Sequence, residues 1–166
     1  METFVFIGLT LSLLAITYED LKTRSVHIYW FALTFICLGY FSWRSVGLQG
    51  YTLQYGINLI FLLLYFVLLQ LYFIVKHRGW VWLFDRYIGW GDVVFLMCIA
   101  GYWNLVGFIV FIVASLMISL VVYFINIKSY ERTIPLAGLQ STIFLIIFYL
   151  EEINFISLDE LIYRLF

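Results

Sequence analysis

Residues Ile88 to Ile127 read IGWGDVVFLMCIAGYWNLVGFIVFIVASLMISLVVYFINI, and in this whole stretch the one charged side chain is Asp92. The length and apolarity predict two membrane crossings, roughly 88–103 and 105–127, each near the ~20 residues that cover a bilayer core. Between them Gly101-Tyr102-Trp103-Asn104 leaves room only for a tight turn. A carboxylate leading straight into an apolar run is expensive at membrane depth, which makes Asp92 a functional candidate. Gly89 and Gly91 leave the backbone beside it bare and conformationally free.

The rest of the chain continues the pattern. Its 166 residues are 65% hydrophobic and 11% charged, with mean hydropathy +1.05. One transmembrane domain over 1–166 fits that length, and a single proline leaves no sign of a linker or soluble domain. The run at 3–17 lacks a basic n-region and a small-residue cleavage site, so it reads as a retained helix rather than a signal peptide. The predicted fold is all-α, with six membrane-crossing helices at roughly 3–18, 27–43, 56–76, 88–103, 105–127 and 134–150. An ordinary connector is expected at 44–55. Aromatic residues 80–87 suit headgroup depth, and 152–166 reads equally as an interfacial amphipathic helix or a short tail packed on the bundle.

Orientation follows from the nine basic residues. Lys22, Arg24, Lys76, Arg78, Arg86, Lys128 and Arg132 fall after the first, third and fifth crossings, whereas Arg44 and Arg164 fall on the opposite side. The positive-inside rule then puts the odd loops in the cytoplasm and both termini outside. A net charge of −1 argues against nucleic acid as a partner. Cys37 and Cys98 read as small core residues. His27 and His77 are too far apart to suggest a metal site, so no metal or cofactor is expected.

Four acids besides Asp92 fall toward the predicted cytoplasmic side: Glu19, Asp20, Asp85 and Glu131. Asp20 closes the first crossing and Asp92 opens the fourth, so the topology puts these two at similar depth. Taken singly, each has a plainer reading. Asp92 suits the N-cap of its helix, and Asp20 suits a solvated loop acid beside Lys22 and Arg24. Pro135 is most simply a helix-start proline.

Three segments carry a resemblance that spans nearly the whole chain. Tyr18-Glu19-Asp20-Leu21-Lys22-Thr23-Arg24-Ser25-Val26 resembles the first aspartate motif of the type IV prepilin peptidases and archaeal preflagellin peptidases, where an Asp ends the first helix before a basic loop. Gly89-Trp90-Gly91-Asp92 is similar to their GxGD motif, which presenilin-type intramembrane proteases share. Ile134-Pro135-Leu136-Ala137 is similar to the Ile-Pro segment that opens the family's last helix. The chain departs from the family at His27-Ile28, where Pro-Asn is usual, and at Val94, where Lys is usual. It has neither the length nor the cysteines of the bifunctional members, so it resembles the small, peptidase-only branch.

The resemblance implies an aspartic endopeptidase of the inner (cytoplasmic) membrane. Its catalytic pair would be Asp20 and Asp92, with Gly89, Gly91 and Pro135 as substrate-binding or motif residues. Its partners would be the bilayer and pilin-like precursors with a hydrophobic N-terminal helix. Two adjacent carboxyls that share a proton supply both the base and the acid that peptide hydrolysis needs. On helix-dipole grounds Asp92, near a helix N-terminus, is the expected ionised partner, and Asp20, near a C-terminus, the protonated one. Two other readings stand beside this one. The first is an inactive relative that serves as a scaffold or assembly partner of a pilus or secretion system. The second is a small proton-coupled transporter, which would want polar residues through span centres where only Asn58, Gln70 and Asn126 stand isolated.

Overall fold

The computed structural model describes residues 2–80, 88–125 and 136–152. They form five helices: α1 (Glu2–Thr23), α2 (Ile28–His77), α3 (Trp90–Ile99), α4 (Leu105–Ile125) and α5 (Leu136–Glu152). None of the described residues forms a β-strand, so the all-α class holds. Most of the two expected interfacial segments, 81–87 and 153–166, lies outside the described residues, as do Ile134 and Pro135.

Of the six expected crossings, three helices are long and apolar enough to span a membrane: α1, α2 and, within α4, Leu105–Val122. The α3 helix has 10 residues and α5 has 17, both short of the ~20 that a crossing needs. The outward faces are apolar; Leu64, Leu68 and Leu71 on α2 and Met117, Val121 and Phe124 on α4 are exposed. Water would penalise so continuous an apolar exterior, and a lipid environment would not.

The expected connector at 44–55 is not a loop. The α2 helix continues through it for 50 residues with a single non-helical position, Gly47, at φ 76° and ψ 168°. There the chain folds back on itself. The rings of Phe35 and Tyr55 lie 5.7 Å apart, and the Tyr51 hydroxyl lies 3.4 Å from where a Cβ on Gly39 would sit. In a straight helix, at ~1.5 Å per residue, Phe35 and Tyr55 would be about 30 Å apart. A lone glycine reverses the chain with no other residue leaving helical φ/ψ, so the two helices run up to the turn and only the groups at their facing ends lose helical partners. In an apolar medium that outcome is strongly favoured over an open loop.

Polar contacts fix the order of the helices. Against α1, the first arm of α2 runs antiparallel: Arg44 pairs with Glu2, a Cβ on Gly8 would stand 3.5 Å from Cys37 Sγ, and Thr34 donates to Ser12 Oγ at 2.9 Å. Helix α5 is also antiparallel to α1. Thr10 bonds Tyr149 at 3.1 Å, Thr17 bonds Ser141 at 2.8 Å, and Asp20 meets Gly138 at 2.6 Å. Hydrophobic burial does little to join helices within lipid, so such bonds and close packing carry the association. Phe95, Phe108, Phe111, Phe144 and Phe148 fill the centre as fully buried rings, with Trp103 edging in 5.0 Å from Phe144.

The tight turn after α3 is present. Tyr102 N–H donates to the Ile99 carbonyl at 3.0 Å, and Asn104 caps α4 by accepting from Gly107 N–H at 2.8 Å. Asn58, which the sequence leaves isolated, is buried against this turn. Its Nδ2 donates to the carbonyl of Ala100, the C-cap of α3, at 2.6 Å and to that of Trp103, in the turn before α4, at 2.9 Å. Gly101 is required by space, since a Cβ there would stand 2.5 Å from the Tyr51 ring.

Candidate functional site

Asp20 belongs to the last turn of α1, which closes where Arg24 turns left-handed (φ 55°) and its N–H donates to the Asp20 carbonyl at 3.1 Å. The side chain is buried, not solvated as a loop acid would be. What buries it is the start of α5. The Gly138 N–H donates to Asp20 Oδ2 at 2.6 Å, and a Cβ on Gly138 would lie 3.1 Å from both Asp20 Cβ and Oδ2 and 3.3 Å from the Thr17 carbonyl. A Cβ there would be tighter than nearly all real contacts, so a larger residue would need Asp20 or the helix to give by a few tenths of an ångström.

Asp92 is the third residue of α3, not its N-cap. Gly89 holds the cap position with no side-chain bond of its own. The Asp92 carboxyl instead turns back toward the Gly89 backbone, as the third helical residue of a capping box does, and also engages the backbone of Ala137. Gly89 has φ −72°, open to any residue, so conformational freedom is not what this glycine supplies. It supplies room: a Cβ there would stand 3.3 Å from Asp92 Oδ2. At Gly91 a Cβ would make ordinary contact with Phe31 at 3.8 Å, so nothing local demands glycine at that position.

The two aspartates therefore meet at one place. Asp20 takes the N–H of Gly138, the Asp92 carboxyl lies near the backbone of Ala137, and the two carboxyls lie within electrostatic reach of each other. A helix begins with four unpaired N–H groups and a partial positive charge, so the first turn of α5 is suited to hold such a pair. The same geometry removes the expected asymmetry between the aspartates. Asp20 stands at the C-terminal end of its own helix but faces the N-terminal end of α5, so the dipole argument no longer makes Asp20 the protonated member.

Three features went unread in the sequence. Gly138 is the first; its one signal is a small residue at a helix start. Glu19 is the second. Its Oε2 accepts from the His27 backbone N–H at 2.9 Å and meets His27 Nδ1 at 3.0 Å, while its Oε1 accepts from Trp30 Nε1 at 3.0 Å. This latch fixes the link from α1 to α2 directly beside Asp20. The third is a cavity of about 320 Å³ between the second arm of α2 and helices α3, α4 and α5. Tyr65, Phe66, Leu69 and Phe73 wall one side, and Asp92 and Gln140 are polar members of its lining; Asp20 does not line it.

Pro135 is outside the described residues, so its role rests on the sequence pattern. Among the described residues no three His, Cys, Asp or Glu side chains cluster to hold a metal ion. Cys37 and Cys98 are buried free thiols, and Cys98 donates to the Phe31 carbonyl at 3.4 Å. Comparison of the chain with protein-family models, curated proteins and solved structures gave no match in any of the three.

Proposed function

We propose that this protein is a membrane aspartic endopeptidase that cleaves leader peptides from prepilin-like precursors at the cytoplasmic face of the inner membrane. The observation that carries the reading is the convergence of Asp20 and Asp92 on the first turn of α5, where the Gly138 N–H donates to Asp20 Oδ2 and the Asp92 carboxyl lies near the Ala137 backbone. Like charges so placed resist simultaneous ionisation, so the pair holds a single proton over part of the pH range. The ionised carboxyl takes a proton from water as it attacks the scissile carbonyl, and the protonated one donates to the developing oxyanion or leaving nitrogen. No covalent intermediate is needed.

Six crossings suit this reading, with the two arms of α2 counted separately and α3 and α5 as short spans. The basic loops after the first, third and fifth crossings support a cytoplasmic position for the pair. Asp92 lines an apolar cavity large enough for a bulky side chain, which suits a substrate whose helix is hydrophobic.

A second reading, an inactive scaffold for a pilus or secretion assembly, is favoured by one specific observation. Asp20 Oδ2 is already committed to Gly138 at 2.6 Å, as a purely structural cap would be. Co-expression with a pilin-like precursor separates the two. A mobility shift with the wild-type protein that is lost in both Asp20→Asn and Asp92→Asn supports the peptidase. Cleavage that survives loss of Asp92 eliminates it, and precursor that is bound but never cut favours the scaffold.

A further inference from the structure

We propose that Thr17 is a positioning residue, which acts through Ser141 and Thr142 on the Gly138 peptide and so holds the carboxyl of Asp20 in register with α5. The inference rests on the endopeptidase reading above and names what keeps one half of its acid pair in place.

Asp20 stands in the last turn of α1, and the Gly138 N–H ties its Oδ2 to α5 at 2.6 Å. A single bond of this kind fixes a distance. Alone it leaves two helices free to slide or roll about it. A slide of one residue would carry the carboxyl about 1.5 Å along α5, a displacement that matters at a reacting centre.

A second tie lies one turn away on both helices. Thr17 stands three residues before Asp20 and Ser141 three residues after Gly138, a spacing that puts each pair on one helix face. Thr17 Oγ1 lies 2.8 Å from Ser141 Oγ and 3.2 Å from Thr142 Oγ1. Ser141 and Thr142 in turn reach back to the Gly138 carbonyl, each at 2.9 Å. The contacts close a ring: Asp20 to the Gly138 N–H, the Gly138 carbonyl to Ser141 and Thr142, and these to Thr17 on the helix that carries Asp20.

Thr17 Oγ1 also reaches the Leu13 carbonyl at 2.9 Å, so three hydroxyl protons face five contacts. Two assignments join the helices. In one, Thr17 donates to Leu13, Ser141 donates to Thr17, and Thr142 serves the Gly138 carbonyl. In the other, Thr17 donates to Ser141 while Ser141 and Thr142 both serve Gly138. Either way the Gly138 peptide is gripped at its carbonyl while its N–H holds Asp20. Ser141 is fully buried, where little water competes for such bonds. The bond between Thr10 and Tyr149, 3.1 Å, joins the same two helices but lies ten residues up α1 from Asp20, about 15 Å away. It supplies the control.

The test uses the full chain in lipid nanodiscs, with a synthetic peptide of a short basic leader followed by an apolar helix as substrate. Thr17→Val keeps the shape and removes the hydroxyl. It is expected to lower kcat about tenfold with KM nearly unchanged. The two limbs of the pH profile are expected to draw together, since carboxyls free to withdraw couple less. Exchange of the Gly138 amide proton should quicken. Thr17→Ser restores all three readouts, and Tyr149→Phe alters none of them. Wild-type kinetics in Thr17→Val overturn the inference and leave the endopeptidase reading standing. Equal losses in Thr17→Val and Tyr149→Phe overturn it too, because general packing would then suffice, as does a loss of activity with Gly138 exchange unchanged. If the wild-type protein does not cut the peptide, the endopeptidase reading falls and takes the inference with it. Should Thr17→Val fail to fold, Ser141→Ala combined with Thr142→Val removes the same ties from the other helix, and wild-type kinetics there overturn the inference.

Discussion

Asp20 Oδ2 accepts a 2.6 Å hydrogen bond from the backbone N–H of Gly138, 118 positions further along the chain. This bond joins the last turn of α1 to the first turn of α5, and the Asp92 carboxyl lies near the backbone of the neighbouring Ala137. The spacing between the carboxyls is thus set by the rigid start of a third helix.

Gly138→Ala tests that dependence. The added Cβ would press on Asp20 and on the Thr17 carbonyl at 3.1–3.3 Å, so α5 must withdraw or the carboxyl must turn. Turnover of a prepilin-like substrate is expected to fall about ten- to a hundredfold, because small misplacements at a reacting centre are costly. Thermal unfolding should move only a little. A variant as active as wild type would show that this approach does not set the site.

The two aspartates are expected to act as a unit. Asp20→Asn and Asp92→Asn each lower kcat by about 10²–10⁴-fold, and the double variant falls no further than the worse single one. Initial rates over a pH series check the same point, since a shared proton gives a bell-shaped profile with two apparent values that belong to the pair. Additive losses would mean independent roles.

Gly47→Ala is expected to destabilise the protein by about 1–3 kcal/mol, because φ 76° with ψ 168° is a region open essentially to glycine alone. Denaturation in detergent measures the loss. Spin labels at positions 35 and 55 should read a short separation in the wild-type protein, and one near 30 Å would restore the straight helix.

Asn58→Leu removes the donor that serves the carbonyls of Ala100 and Trp103. It also removes an Oδ1 that has no partner, which offsets part of the loss. The expected net cost is about 1–2 kcal/mol. Hydrogen exchange at the start of α4 should quicken, since the turn that leads into that helix loses its tie to α2.

Breaking the latch with Glu19→Leu frees His27 and Trp30 from α1. Limited proteolysis between Thr23 and His27 is expected to accelerate, with a red shift in Trp30 emission. Unchanged cleavage would show that the link is held by other contacts.

The sequence by itself determined the all-helical class, the apolar crossings of α1 and α4, the tight turn at 101–104, and the candidacy of Asp20 and Asp92. Those features depend on composition and local periodicity, which one chain displays openly. Asp92 stood out because a charge is conspicuous in an apolar run. Only the tertiary structure decided that residues 44–55 stay helical around Gly47, that Asn58 closes the turn after α3, and that Gly138 completes the aspartate pair. Each of these depends on a partner distant in sequence, on a space tight for a Cβ, or on a backbone angle that glycine takes readily and other residues do not. A glycine's spelling does not reveal whether it serves a turn, a clearance or neither. For the same reason the N-cap reading of Asp92 and the loop-acid reading of Asp20 gave way: both were local interpretations, and what these carboxyls do is fixed by a helix that arrives from the far end of the chain.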